Sequence, residues 1–316
     1  MSELTSTRNN PMIDPNLHIW GSDVTIYLFL GGLVAGIMVL SGLYYFVRGI
    51  KGEVPAFIRN SMLASPILLS IGMFFLFLDL ENKWHVYRFY LTFKVTSPMS
   101  WGSWILIFVY PVSVAMIVLA NRNRWWVNWY PPAAKLVEPY WKTIAAGNVL
   151  FGALLGLYTG ILLSSYTARP FWNNGVLAPL FLISGISTGA AFMILFHDGA
   201  DVREKEELSL IKLGLIAAEI IALVLFVSAL LTSVANQQQA VSLIVGGPYT
   251  AHFWVFVVGI GLLVPLLLQS LEVLHKLESR FVMPIMVLVG GFALRYLVVL
   301  GGQLSETVLR VSEVLR

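Results

Sequence analysis

The stretch VTIYLFLGGLVAGIMVLSGLYYF, Val24–Phe46, decides the fold. It is apolar or small at both odd and even positions, whereas a β-barrel strand alternates a lipid face with a lumen face over only about ten residues. At 1.5 Å per residue, roughly 20 apolar residues cross about 30 Å of hydrocarbon as a helix, with every backbone group bonded inside the segment. Seven more runs of this kind follow, at Met62–Leu80, Trp101–Ala120, Thr143–Ser164, Val176–Phe196, Leu208–Leu231, Ala251–Ser270 and Phe281–Gly301. The spacing predicts an all-α integral membrane protein of eight transmembrane helices.

Composition agrees. Hydrophobic residues make up 58% of the chain and charged residues 12%, where a soluble domain carries about a quarter charged residues. There is no cysteine, so no thiolate-held iron–sulfur cluster is expected in this chain and any such cluster belongs to a partner. Residues 1–23 are polar and lack a basic stretch leading to a small-residue cleavage site, so they read as a retained tail. Residues 305–316 form the opposite tail. Lys and Arg number roughly twelve in the first, third, fifth and seventh connections and roughly seven in the tails and the others. The positive-inside rule then puts both termini and the 81–100, 165–175 and 232–250 connections outside.

The two halves look alike at an offset of about 150 residues. GGLVAG at Gly31–Gly36 matches SGISTG at Ser184–Gly189, Ser97-Pro98 before Trp104 matches Gly247-Pro248 before Trp254, and Pro111 falls near the counterpart of Pro265. Four spans per unit give both units one orientation, hence two four-helix bundles, 24–164 and 165–304, related by a parallel internal repeat. Chance recurrence of small residues is the competing explanation. Those glycines, with Gly147, Gly152, Gly156 and Gly160, mark faces where helices approach closely.

Charged groups in lipid cost at least about 2.5–3.5 kcal/mol at a helix centre and need a reason. Asp79 closes the second span, either as an end cap or as a proton-handling group. Glu219 and Arg295 lie near the middle of the sixth and eighth spans. They form either a structural pair or part of a hydrated proton route with Gln303, His197 and Asp198. His18, His85, His197, His252 and His275 are too scattered for a bis-His site, so haem is not expected, and no metal site is expected. Trp84, His85, Tyr87, Phe89, Tyr90, Trp101 and Trp104 crowd the outer boundary with Tyr158, Tyr166, Arg169, Phe171 and Trp172. Interfacial anchoring explains most of them singly. It does not explain an acid, a His and cations at the same level, which suit an amphiphile carrying carbonyls. A polytopic transporter or proton channel would also fit repeats and buried charges.

IYLFLGGLVAG, DLENKWHVYRF, TSPMSWGSW and YTGILLSSYTARPFWN, followed by PLFLISGISTGAA and GGFALRYLVVLGGQ, resemble in order the NrfD/PsrC family, the membrane subunits of polysulfide-reductase-type complexes. The resemblance implies a quinone-reactive anchor subunit with quinone, menaquinone or ubiquinone, near one membrane face. Its implied partners are an iron–sulfur, ferredoxin-like multi-cluster subunit and a molybdopterin, multihaem cytochrome or hydrogenase catalytic subunit. Lipid surrounds it and no nucleic acid is expected. Tyr158 falls on the family's tyrosine that looks like a hydrogen-bond donor to the quinone, and Asp79 on an acid that looks like a proton carrier beside it. Some members place His and Asn at the start of the first span, where Tyr27 stands here. With the outer cluster, this makes Tyr27, His85, Trp101, Tyr158 and Arg169 the candidate quinone contacts, and Asp79, Glu219 and Arg295 the candidate proton-transfer groups.

Overall fold

The computed structural model describes residues 20–50, 52–128, 131–196, 202–273 and 281–305. Eight helices are long and apolar enough to cross a bilayer among these residues, and no strand occurs among them. In chain order they are α1 (Ser22–Arg48), α2 (Ala56–Asp79), α3 (Pro98–Ala120), α4 (Trp141–Ser164), α5 (Leu177–Ile194), α6 (Val202–Leu231), α7 (Thr250–Glu272) and α8 (Val282–Leu304). The protein is therefore a multi-pass membrane protein. The expected spans hold with boundary shifts, the largest six residues at the starts of α2 (Ala56 for Met62) and α6 (Val202 for Leu208), where polar turns continue the helix beyond the apolar run.

Within 24–164, α1 packs on α2 and α4, and α3 closes the ring against α2 and α4. Within 165–304 the same order recurs, with α5 on α6 and α8, and α7 on α6 and α8. The halves meet through α1, α4 and α5, with α8 also touching α1. Trp20 N donates to Gln303 Oε1 at 3.4 Å, so the two ends of the described residues meet at the predicted outer face.

Small residues let the halves approach. A Cβ on Gly36 would run into the Gly185 carbonyl, one on Gly185 would lie 2.7 Å from Gly32 O, and one on Gly189 would lie 2.7 Å from Gly36 C. GGLVAG and SGISTG thus face each other across the seam between the halves, backbone on backbone. Without a hydrophobic driving force between helices in lipid, such close van der Waals packing is what holds them. Gly152 of α4 sits against Ala35 and Met38 of α1, and Gly160 against Leu177 and Ala178 of α5, so α4 is wedged between the halves.

Two helices carry irregular backbone. Pro66 in α2 has no N–H to offer the Met62 carbonyl, and the Ser65 hydroxyl donates there instead at 2.8 Å. In α7, residues Phe253–Leu263 are wound as a π-helix and hand over to α-helix at Val264, next to Pro265. The wider turn lets Gly261 meet Gly290 of α8 closely, where neither position has room for a side chain.

Candidate functional site

Tyr158 comes first, one turn and a half from the outer end of α4. It is 5% exposed, and its ring lies directly on Gly102 of α3, where a Cβ would overlap the phenol. Glycine at 102 is therefore the cradle for that ring. Tyr27 of α1 is 2% exposed and belongs to the same core as Tyr158. The Tyr158 phenol lies within electrostatic range of Tyr27, Tyr166 and Tyr90, and the Tyr27 phenol within range of Tyr90 and Tyr110. Tyr110 of α3 pairs with Ser70 of α2, Oη to Oγ at 3.0 Å. The result is a tyrosine-lined region between α1, α3 and α4 at the predicted outer end of the first half. Neither Tyr27 Oη nor Tyr158 Oη makes a hydrogen bond among the described residues. On another face of α3, Trp104 packs its ring on Phe93 of the 80–97 connection, centroids 5.4 Å apart, with its Nε1 buried without an acceptor.

The connection 80–97 is folded onto this end by the side chains of TSPMSWGSW. Ser100 Oγ accepts from Lys94 N at 3.0 Å and donates to Thr92 O at 3.0 Å. Ser103 Oγ donates to Phe89 O at 2.7 Å, and Trp101 Nε1 to Val95 O at 2.7 Å. These bonds draw Tyr90, on the short helix Arg88–Leu91, over the site. Burial, and secondarily the Tyr110 phenol, raise the Tyr90 hydroxyl above the ordinary tyrosine value, so it is a protonated donor at neutral pH. Burial does the same to Tyr166.

A second strap is RPFWN. Arg169 Nη1 donates to Gln303 O at 2.6 Å, Phe171 N to Ser305 Oγ at 3.2 Å, and Trp172 Nε1 to Val298 O at 2.7 Å. The Phe171 and Trp172 rings lie over Gly301 and Gly302 of α8, where no side chain would fit. Trp20, Tyr166 and Trp172 pack their rings together above, with centroids 4.9–5.9 Å apart. Arg169 is thus tied to the end of α8.

The other candidates are placed as follows. Trp101 is 36% exposed and faces its own connection. His85 is exposed on the turn Lys83–His85, with Nδ1 at 2.8 Å from Asn82 Oδ1. Asp79 is half-buried as the last residue of α2. His18, His197, Asp198 and His275 lie outside the described residues. Tyr90 and Tyr110 were not singled out as site residues by the sequence. The bonds from Ser100 and Ser103 that carry Tyr90 inward leave no periodic signal.

Glu219 and Arg295 are brought together deep in the second half, at 4% and 0% exposure. The guanidinium donates from Nη1 to Ser184 Oγ at 3.1 Å and to Gly291 O at 2.9 Å. Its Nε reaches Leu28 O at 3.2 Å, and Nη2 reaches Phe181 O at 3.4 Å. It also lies 5.4 Å from the Phe181 ring centre and 5.8 Å from that of Phe29. The Glu219 carboxyl faces the hydroxyls of Ser184 and Ser187. Ser184 therefore stands between the two charges, and Arg295 joins α8 to α5 and to α1 one residue from Tyr27. Gly32 leaves the room for the guanidinium on α1.

Chemically, the first-half site offers phenol donors among buried apolar side chains, suited to a carbonyl-bearing amphiphile. Comparisons with known proteins give the family. The sequence is 28% identical to "Protein NrfD" of Escherichia coli (strain K12) over 308 residues, 91% of this chain and 96% of that protein. It is 26% identical to a polysulfide reductase chain of Wolinella succinogenes over 304 residues, 91% of this chain and 95% of that one. It is 23% identical to a selenate reductase subunit of Mesobacillus selenatarsenatis over 291 residues, 80% of this chain and 67% of that one. Because residues 10–306 match the family described as "Polysulphide reductase, NrfD", nearly end to end, the protein belongs to the NrfD family.

Proposed function

We propose that this protein is the quinone-reactive membrane subunit of a respiratory reductase complex, exchanging electrons between a membrane quinone pool and an iron–sulfur partner. The observation that carries the reading is the Tyr158 phenol held on Gly102, unbonded, beside Tyr27 and Tyr90. Quinone chemistry moves two electrons and two protons, so a site needs donors at the carbonyl oxygens and a route for protons. Tyr158 donates to one carbonyl oxygen, and Tyr27 or Tyr90 serves the other. Asp79, at the aqueous edge of the same half, exchanges protons with the outside. The sequence has no cysteine, so the electron carrier is a ferredoxin-like, multi-cluster subunit seated over the outer end. A molybdopterin, multihaem cytochrome or hydrogenase subunit stands behind it. Relatives named as components of polysulfide and selenate reductases support such an assembly.

The same reading places the protein in the cytoplasmic membrane of a prokaryote with both termini outside. It takes 24–164 as the quinone-binding bundle and 165–304 as its repeat. Facing glycine motifs on α1 and α5, and the shared neighbour order of the two halves, support a duplicated unit. Glu219 and Arg295 serve proton transfer in the second bundle.

Tyr158→Phe in the intact complex tests the assignment. Loss of one hydrogen bond to a developing oxyanion is worth about 1–3 kcal/mol, so quinol-linked kcat/KM should fall about tenfold or more while the partner's activity with artificial electron carriers stays intact. Unchanged quinol kinetics would overturn the role given to Tyr158.

A further inference from the structure

Gln269 of α7 is completely buried, and both its Oε1 and its Nε2 lack a hydrogen-bond partner. A dry amide in that position costs about 1–3 kcal/mol for each unmet group, and buried polar atoms of this kind are normally met by internal water. An ion pair lies nearby. One turn toward the predicted inner face, Glu272 Oε2 lies 3.5 Å from Lys212 Nζ of α6, with both side chains about nine-tenths buried.

That ion pair sets the register of antiparallel α6 and α7. Gln269 then falls at about the level of Leu215, beside Ile216, and Glu219 is about one turn further out on the face of α6 that carries Lys212. The rise between the Gln269 and Glu219 levels is about 6 Å, too long for a direct hydrogen bond and matched to one or two bridging waters. Pro265, level with Glu219, has no N–H and leaves a carbonyl open on the preceding turn of α7 as a further acceptor. The polar file therefore reads, from the predicted inner face outward, Lys212–Glu272, Gln269, Glu219 with Ser187 and Ser184, and Arg295.

We propose that Gln269 holds internal water between the Lys212–Glu272 pair and Glu219, making the inner half of the second bundle a proton-uptake path that ends on Glu219. This rests on the reading of Glu219 as a proton-transfer group. The step forms an O–H bond on the Glu219 carboxylate as an O–H bond on the adjacent water breaks. The next water toward the inner face restores it, and no electron moves. The titratable groups along the file are Lys212, Glu272, Glu219 and Arg295.

Infrared spectroscopy of the whole complex in membranes tests this without any quinone reaction. At a pH low enough to protonate Glu219, the difference between wild type and Glu219→Gln isolates the Glu219 carboxyl band, and its downshift on transfer to D2O gives an exchange rate. Gln269→Met, similar in shape but unable to hold water, should slow that exchange about tenfold or more, whereas Gln269→Glu should keep it near the wild-type rate. Where Gln269→Met does not assemble, Ile216→Phe fills the same level from α6 and should slow exchange equally. Wild-type exchange in the methionine or phenylalanine variant would overturn the proposal, as would the absence of an exchangeable carboxyl band lost in Glu219→Gln. Loss of quinone turnover in an otherwise normal wild-type complex would instead count against the proposed function and leave the exchange result standing.

Discussion

Adding one methyl group to Gly102 is the smallest change that reaches the Tyr158 phenol, because a Cβ there would occupy the space of the ring. Overpacking of this kind costs about 1–3 kcal/mol and is relieved here by swinging the phenol aside. Gly102→Ala should therefore weaken quinone affinity about tenfold with the complex still assembled, measured as the KM for quinol or by inhibitor titration. At Arg295 the issue is charge. Four donor contacts tie it to α1, α5 and α8, and removing it leaves Glu219 buried without its counter-charge. Arg295→Met should lower stability by about 3–5 kcal/mol, and adding Glu219→Gln should recover part of that loss in thermal unfolding of the purified complex. Additive losses would mean that the two groups do not communicate through Ser184. The sequence made both charges visible because they are anomalous in lipid. It hid Lys212 and Gln269, whose meaning depends on which helix face meets which neighbour, and near-uniform apolar helices carry little periodicity to set that face, while Tyr90 was visible only as one of several outer aromatics.

Helices of this protein meet through glycine where the halves touch and through polar straps where connections fold back. Gly185 takes the first role, with Gly32 O in the way of any side chain. Gly185→Val should separate α1 from α5, lower the midpoint of thermal unfolding and pull Arg295 away from Leu28 O. Quinol turnover should then fall together with stability, read on the same preparations. Such contacts were legible as small-residue motifs, since GGLVAG and SGISTG stand out in any apolar run. That the two motifs face each other was not, because a glycine face states closeness without naming the partner helix. TSPMSWGSW and RPFWN show the reverse case. Their aromatic residues read as interface anchors, whereas Ser100, Ser103, Arg169 and Trp172 act as ties to backbone carbonyls. The π-helical stretch of α7 had only Pro265 and two glycines to announce it.

Across the whole molecule, the predicted outer end of the first half gathers phenols around Gly102, and the second half threads a file of buried charges toward it. Arg295 connects them, bonded to Leu28 O next to Tyr27. A change of charge in the second half would thus be felt at the turn of α1 that lines the phenol region, a coupling of a few kcal/mol at most at this range of dielectric. The eight spans followed directly from bilayer thickness and hydropathy, and the ring order of each half follows from short antiparallel connections. Seating of quinone under Tyr158, between α1, α3 and α4, is tested most directly by photolabelling the intact complex with an azidoquinone, followed by peptide mapping. Quinol-competed label is expected on the segments around Tyr27, Tyr90, Gly102 and Tyr158. Competed label confined to α5–α8, with none on those segments, would contradict that placement.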